Sequence, residues 1–97
     1  MVSANWRCPS GELDLVMTEG AVLVFVEVKT RRGERFGAAE EAISPAQATR
    51  ILQTAEQFLA VRPDLAASFW RVDLVAITLT PAGAVARINH IVDAVQG

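Results

Sequence analysis

The residue types best suited to chemistry in this 97-residue sequence are two acids and one lysine, which are Asp14, Glu27 and Lys29. They follow the spacing Asp-x12-Glu-x-Lys on two adjacent apolar runs. Strand side chains alternate between faces, so Glu27 and Lys29 point the same way, about 6.7 Å apart along the strand. This layout suits metal-assisted cleavage of a phosphodiester. Hard oxygen ligands favour Mg²⁺ or Mn²⁺.

The hairpin that joins the two runs determines whether the acids meet. A two-residue turn at Glu19-Gly20 would place Glu12 opposite Glu27, whereas a longer turn would place Asp14 opposite Glu27. A slip by one residue would mix polar and apolar side chains on both faces. Both favoured registers put the acids on one face and leave an apolar set on the other, which comprises Leu13, Leu15, Met17, Val22, Val24 and Val26. The pattern therefore predicts that the acids converge.

Glu27 lies within Val24–Val28, a run with apolar residues on both faces, as in a central strand covered on both sides. A charge in such a strand needs a partner or a metal. Opposed carboxylates repel each other, and a divalent cation would convert that repulsion into binding. The competing interpretation is a strand whose charges are solvated on its outer face.

Two specific sequence blocks, Gly11–Leu15 (GELDL) and Phe25–Lys29 (FVEVK), occur together here, with further blocks over almost the whole chain from residue 5. The further blocks are Asn5-Trp6-Arg7, Thr30-Arg31, Phe36-Gly37, Ala42-Ile43, Ala55 with Phe58-Leu59, and Arg71-Val72-Asp73. This combination resembles the YraN-like family of small uncharacterised bacterial proteins, which belongs to the restriction-endonuclease-like, PD-(D/E)xK group of nuclease folds.

The resemblance implies an α/β fold, a restriction-endonuclease-like mixed β-sheet flanked by helices, as a single domain over residues 1–97. In such folds the aspartate and the glutamate ligate the metal, so Asp14 and Glu27 would hold Mg²⁺ or Mn²⁺. The carbonyl of Val28 would be a further ligand. Lys29 would position or activate the attacking water and offset charge developing on the phosphate.

The sequence departs from the family pattern at two places. Members usually begin with a helix that carries a glutamate near the metal, and this sequence has only four residues before Asn5. Either the start of the sequence was assigned too late, or the protein does without that helix. Glu12 is the nearby acid that would substitute. Members often carry a lysine where this chain has Gln47. Gln47 is either an accessory site residue or, with Ser44, part of a capping box.

Charge and composition restrict the function classes. A net charge of −2 argues against a strong sequence-independent nucleic-acid binder. A lone Cys8 and a single His90 leave no internal disulfide and no zinc site, and the apolar run Ala21–Val26 is too short to span a bilayer. We therefore expect a cytoplasmic protein without a membrane segment. Basic residues near the site are candidates for nucleic-acid contacts, or else a solvated loop: Arg7, Arg31, Arg32 and Arg35.

The patterns predict one long helix among five strands. Ser44 caps the helix, which begins at Pro45, ends near Val61 and carries one apolar stripe. Asp73 is either an ion-pair partner of Arg71 or an acid behind the site, and His90 completes a hydrogen bond at the sheet edge. The predicted strands are 4–8, 12–18, 21–30, 70–79 and 85–92, with a loop over 31–43 that contains a helical turn at 38–42.

Together these features predict a divalent-metal-dependent endonuclease-like protein acting on structured or branched nucleic acid, with DNA as the expected substrate. The alternative is a non-catalytic nucleic-acid-binding or assembly module that keeps the nuclease fold. One amphipathic helix covers only one face of a sheet, so we also expect exposed apolar surface and a homodimer.

Overall fold

The computed structural model describes residues 1–32, 43–65 and 69–95, and these residues form one five-stranded sheet and one helix. The elements are β1 (Ser3–Cys8), β2 (Gly11–Glu19), β3 (Val22–Arg32), α1 (Pro45–Val61), β4 (Phe69–Leu79) and β5 (Val85–Val95). The strand order is β1-β2-β3-β4-β5. β1, β2 and β3 pair antiparallel, β3 and β4 pair parallel across the α1 crossover, and β5 returns antiparallel to β4. The predicted mixed α/β sheet is confirmed.

Helix α1 begins where the sequence predicts. The Ser44 hydroxyl accepts a hydrogen bond from the Gln47 N–H at 3.2 Å, and Gln47 Oε1 accepts one from the Ser44 N–H at 2.9 Å. Pro45 occupies the first turn, where its missing N–H costs nothing. This reciprocal capping box is confirmed. The predicted loop turn at 38–42 and Arg35 lie outside the described residues.

The main core lies between α1 and one face of the sheet. The Phe58 ring meets Trp6 edge-on at 5.3 Å between centroids and Phe25 at 5.8 Å. Such perpendicular contacts add to the apolar area that the rings bury. Further buried members of this cluster are Leu13, Val16, Leu23, Ile51, Ala55, Val72 and Val95. Among the described residues, no helix is long and apolar enough to cross a membrane.

The turn between β2 and β3 occupies Gly20 and Ala21, since Glu19 pairs with Val22. Gly20 has a φ of +59°, which glycine adopts without strain. The Glu19-Gly20 turn predicted first is therefore wrong. The observed pairing of Leu15 with Val26 belongs to the alternative register, although the turn that produces it has two residues and is not longer. This shift by an even number of residues keeps the predicted faces along the paired stretch from Leu15 to Glu19.

Two predictions about the apolar face are wrong, which are the position of Leu13 and the exposure of Val24 and Val26. Leu13 belongs to the helix-side core, because strand alternation is interrupted between it and Val16. Val24 and Val26 are only 5% exposed, so they do not supply the exposed surface expected beside Met17, which is 38% exposed. A polar network lies on this face.

The polar network centres on Asp73, whose side chain is fully buried. Its carboxylate accepts hydrogen bonds from Arg71 Nε at 2.9 Å and from the Asp93 N–H at 2.9 Å, and it lies 2.8 Å from His90 Nε2. Arg71 also reaches Glu19 Oε1 at 3.5 Å, so its side chain crosses β3 from β4 to β2. The ion pair between Arg71 and Asp73 and the hydrogen bond of His90 are confirmed.

Candidate active site

A cavity of about 260 Å³ lies between the sheet and the first half of α1. It brings together the three residues singled out by their spacing, Asp14, Glu27 and Lys29. It also contains the two accessory candidates, Glu12 and Gln47. The remaining lining residues are Gly11, Arg50, Ile51 and Thr54.

Asp14 and Glu27 lie where the backbone pairing between β2 and β3 ends. The ladder between these strands runs from Glu19 and Val22 to Leu15 and Val26. Beyond it, the Val28 N–H donates to Asp14 Oδ2 at 2.7 Å. A side chain of β2 therefore takes the place of a backbone acceptor. The irregularity extends to β1, where Asn5 has a left-handed φ of +53°.

Glu27 and Lys29 form an ion pair inside the cavity. Lys29 Nζ lies 3.2 Å from Glu27 Oε1, and their side chains are 24% and 14% exposed. Burial raises the pKa of the Glu27 carboxyl, and the nearby Asp14 carboxylate raises this pKa further. The hydrogen bond and positive charge of Lys29 oppose both effects without cancelling them. The two acids therefore interact as like charges in a partly desolvated site.

The residues in the cavity fit a hard divalent cation with few protein ligands. Within the described ranges, no three His, Cys, Asp or Glu side chains are grouped to hold a metal. Two carboxylates that repel each other still form a suitable donor pair, since Mg²⁺ keeps several waters and often uses one or two protein carboxylates. Asp14 and Glu27 would supply these oxygens, with the Val28 carbonyl as the backbone candidate.

Glu12 lies at the cavity wall and has its own countercharge. Its Oε2 lies 3.3 Å from Arg7 Nε, and the Arg7 side chain is largely exposed. Glu12 is thus placed near Asp14 and Glu27, but it is tied to an outer arginine. Arg7, a predicted nucleic-acid contact, is beside the site and partly neutralised.

Arg31 and Arg32, two of the other predicted basic residues, do not line the cavity. Arg31 and Arg32 are both exposed at the end of β3. Arg32 extends toward the turn between β4 and β5, where its guanidinium lies beside Gly83. Arg35 is outside the described residues. The described arginines of this cluster therefore lie beyond the cavity lining.

Helix α1 contributes three lining residues that the sequence did not assign to the site, which are Arg50, Ile51 and Thr54. Gln47, Arg50, Ile51 and Thr54 line the cavity at helical spacing. Because Gln47 was already a candidate, its helical spacing to Arg50, Ile51 and Thr54 was the signal that could have identified them as lining residues. The helical spacing shows that these residues share one face of α1. It does not show that this face lines the cavity, because that depends on how α1 packs over β2.

The family described as "Uncharacterised protein family UPF0102" matches residues 1–77, which include every residue of the cavity lining. The chain belongs to this family. A UPF0102 protein of Frankia alni is 47% identical over 91 residues, covering 94% of the chain and 74% of that protein. One from Beutenbergia cavernae has the same identity, with 94% and 75% covered. One from Gloeobacter violaceus is 40% identical over 98 residues, with 100% and 78% covered. The resemblance to the YraN-like family is confirmed.

Proposed function

We propose that this UPF0102 protein is a divalent-metal-dependent endonuclease-like protein that acts on structured or branched nucleic acid. The observation that carries the proposal is the placement of Asp14, Glu27 and Lys29 in one cavity. Two interacting acids and one ammonium are the groups that metal-assisted phosphodiester cleavage requires. Their Asp-x12-Glu-x-Lys spacing is that of the PD-(D/E)xK nucleases which the sequence resembles.

The strand arrangement supports the same proposal. An antiparallel hairpin carries the aspartate on β2 and the glutamate and lysine on β3, and α1 then crosses to the parallel strand β4. The acids sit at the middle of the sheet on its helix-covered side. This is compatible with the restriction-endonuclease-like fold that the resemblance implies.

Each residue has a separable role in this proposal. Asp14 and Glu27 would hold Mg²⁺ or Mn²⁺ with the Val28 carbonyl. A metal held there would supply Lewis-acid chemistry to the phosphate and would make an attacking water more acidic. Lys29, fixed beside Glu27, donates hydrogen bonds to water or phosphate oxygen and offsets negative charge in the transition state. Helix α1 covers the acids and keeps the site partly desolvated.

A nicking assay tests the proposal directly. Purified protein is incubated with labelled four-way-junction DNA and with linear duplex, in Mg²⁺, Mn²⁺ or EDTA. Wild type is compared with Asp14→Asn, Glu27→Gln and Lys29→Met. The matched control is Asp64→Asn, which removes an exposed carboxylate that pairs with Arg62 outside the cavity. Calorimetry with Mn²⁺ on the same proteins reports metal binding independently.

Three outcomes have distinct meanings. Metal-dependent nicking by wild type and Asp64→Asn, absent from the three site variants, supports the endonuclease. DNA binding without nicking under any metal condition replaces it with the alternative, a non-catalytic nucleic-acid-binding module. Absence of nucleic-acid binding by the wild-type protein overturns the proposal, whether or not Mn²⁺ binds.

A further inference from the structure

Arg50 is the cation that α1 contributes to the cavity, and its charge has no partner within the described part of the chain. Of the three acids there, Glu12 and Glu27 pair with Arg7 and Lys29, and Asp14 accepts the Val28 N–H. Arg50 lines the same cavity but is absent from those ion pairs. Because the carboxylates of the cavity already have partners, the Arg50 guanidinium is available to bind an anionic group of a ligand.

The backbone of β2 positions the Arg50 side chain. Gly11 has a φ of +151°, which side-chain-bearing residues rarely adopt, and a Cβ there would lie 3.5 Å from Arg50 Cδ. The same Cβ would lie only 3.2 Å from Thr54 Oγ1, which donates to the Arg50 carbonyl at 2.8 Å. The arginine stem thus packs against a glycine that leaves room for it, as long side chains do when only the charged end reaches water.

The inward face of α1 changes character along its length. Toward its C-terminal end it is apolar, with Ala55 and Phe58 buried against the sheet. Toward its N-terminal end, the side that lines the cavity carries Gln47 and the exposed Arg50 beside the buried Ile51. A helix that only had to cover the sheet would be favoured by apolar residues along this whole stripe. The capping box accounts for Gln47, but no contact with the described residues accounts for the charge of Arg50, so Arg50 is the residue on this face that points to a ligand.

We propose that Arg50 binds a phosphate of the nucleic-acid backbone in the cavity, from the helix side, while Lys29 contacts it from the sheet side. The identity of the ligand rests on the proposed function. Guanidinium groups bind phosphate oxygens through two parallel hydrogen bonds, which a single ammonium cannot do. Arg50 is thus a substrate-binding residue, whereas the acids hold the metal.

Salt dependence of DNA binding gives the test, because each neutralised phosphate contributes about one unit to the slope of log affinity against log salt concentration. Fluorescent four-way-junction DNA is titrated in Ca²⁺ at several salt concentrations, with a gel check that it remains intact. The proteins are wild type, Arg50→Gln, Arg50→Lys and Arg62→Gln. Arg62 is the matched control because it lies just after the other end of α1 and pairs with Asp64.

We expect Arg50→Gln to reduce the slope by about one and to weaken binding roughly tenfold at low salt. Arg50→Lys keeps the slope and loses part of the affinity, and Arg62→Gln matches wild type. Calorimetry should give Arg50→Gln the Mn²⁺ affinity of wild type, since Arg50 holds no metal. Thermal unfolding establishes that each variant is folded.

The failures of the two proposals are distinguishable. An unchanged slope and affinity in Arg50→Gln, with wild type still nicking DNA and Lys29→Met inactive, overturns the role of Arg50 alone. Equal losses in Arg50→Gln and Arg62→Gln also overturn it, because the effect would then follow from general charge. A wild-type protein that binds no DNA overturns both proposals.

Discussion

The Val28 N–H donates a hydrogen bond to Asp14 Oδ2 at 2.7 Å, so one acid of the site also joins β2 to β3 where their ladder ends. Backbone donors that become buried without an acceptor are costly. Asp14 therefore acts as a hydrogen-bond acceptor for the fold, and the proposed function gives it a second, separable role as a ligand of the cation.

Substitutions of Asp14 should separate these roles. Asp14→Asn keeps an acceptor oxygen, so we expect unfolding free energy near that of wild type, or higher because repulsion with Glu27 is relieved. Asp14→Ala should lose about 1–3 kcal/mol, the cost of an unsatisfied buried donor. Urea denaturation measures both values.

The same variants should lose metal binding. We expect Asp14→Asn and Glu27→Gln each to weaken Mn²⁺ binding about tenfold or more, or about 1.4 kcal/mol. Isothermal titration calorimetry at neutral pH measures the affinity, with Asp64→Asn as the control. Equal Mn²⁺ affinity in wild type and Asp14→Asn would contradict the assignment of Asp14 as a metal ligand.

Lys29→Met should separate catalysis from metal binding. Lysine does not ligate a divalent cation, so Mn²⁺ affinity should stay largely intact. Nicking should fall by about 10²–10³-fold, as when one preorganised donor to the transition state is removed. Cleavage by Lys29→Met at the wild-type rate would assign the activity to another site or to a contaminant.

Lys29 also offers a direct spectroscopic probe, because it is the only lysine in the sequence. Reductive methylation with ¹³C-formaldehyde labels its Nζ, which lies 3.2 Å from Glu27 Oε1, and the N-terminal amine. Mn²⁺ bound between the acids should broaden the Lys29 methyl signal strongly at substoichiometric concentration. Asp14→Asn, methylated in the same way, is the control. Equal broadening in both proteins would contradict binding at these acids.

The sequence predicted the helix bounds because local signals determine them. Ser44 and Gln47 form the cap, and Pro63 follows the last turn at Val61. The hairpin register was harder to predict. Turns at Glu19-Gly20 and at Gly20-Ala21 give the same faces, so the apolar pattern cannot choose between them.

Other features depend on contacts between distant residues. Leu13 lies on the core side beside Asp14, whose carboxylate accepts a backbone hydrogen bond, and no periodicity encodes this interruption of strand alternation. Arg50 carries a clear helical spacing from Gln47, but its position over the acids follows from close packing against Gly11. Arg31 and Arg32 were predicted to lie near the site because of their charge. They lie at the end of β3, beyond the cavity lining, because that strand is long.

Asp73 should make folding stability depend on acidic pH. Burial by itself raises the pKa of its carboxyl, but hydrogen bonds from Arg71, the Asp93 N–H and His90 outweigh burial, so the pKa is lowered. A carboxyl with a lowered folded-state pKa stabilises the protein above its unfolded-state value of about 3.9. That contribution is lost as the pH falls from about 4 through the folded-state pKa.

Asp73→Asn tests this relationship. At pH 7 we expect a loss of about 3 kcal/mol, the lower end for breaking a buried ion pair, because Arg71 retains Glu19 and some solvent contact. The difference from wild type should shrink below about pH 4, where the wild-type carboxyl also becomes protonated. Urea denaturation at pH 7, 5 and 3 measures it, with the exposed Asp64→Asn as control. A difference that stays constant across this range would contradict the linkage.

The β5 edge should mediate self-association. In the described part of the chain β5 pairs only with β4, and it exposes Val85, Ile88 and Val92, with Ile88 63% exposed. A long edge strand with exposed apolar side chains favours pairing with another strand, and a two-fold homodimer is the commonest closed arrangement. We expect wild type to sediment as a dimer at micromolar concentration. Ile88→Lys should shift it to monomer, because a charge on an edge strand opposes pairing.

The control for this prediction is Phe69→Lys, which removes an exposed apolar side chain at the start of β4 and should leave the dimer intact. Sedimentation equilibrium on the three proteins distinguishes the possibilities. Dimerisation of Ile88→Lys with wild-type affinity would place the contact away from β5. A wild-type monomer at tens of micromolar, with no binding of a hydrophobic dye, would show that the chain covers its own apolar surface and that the homodimer prediction is wrong.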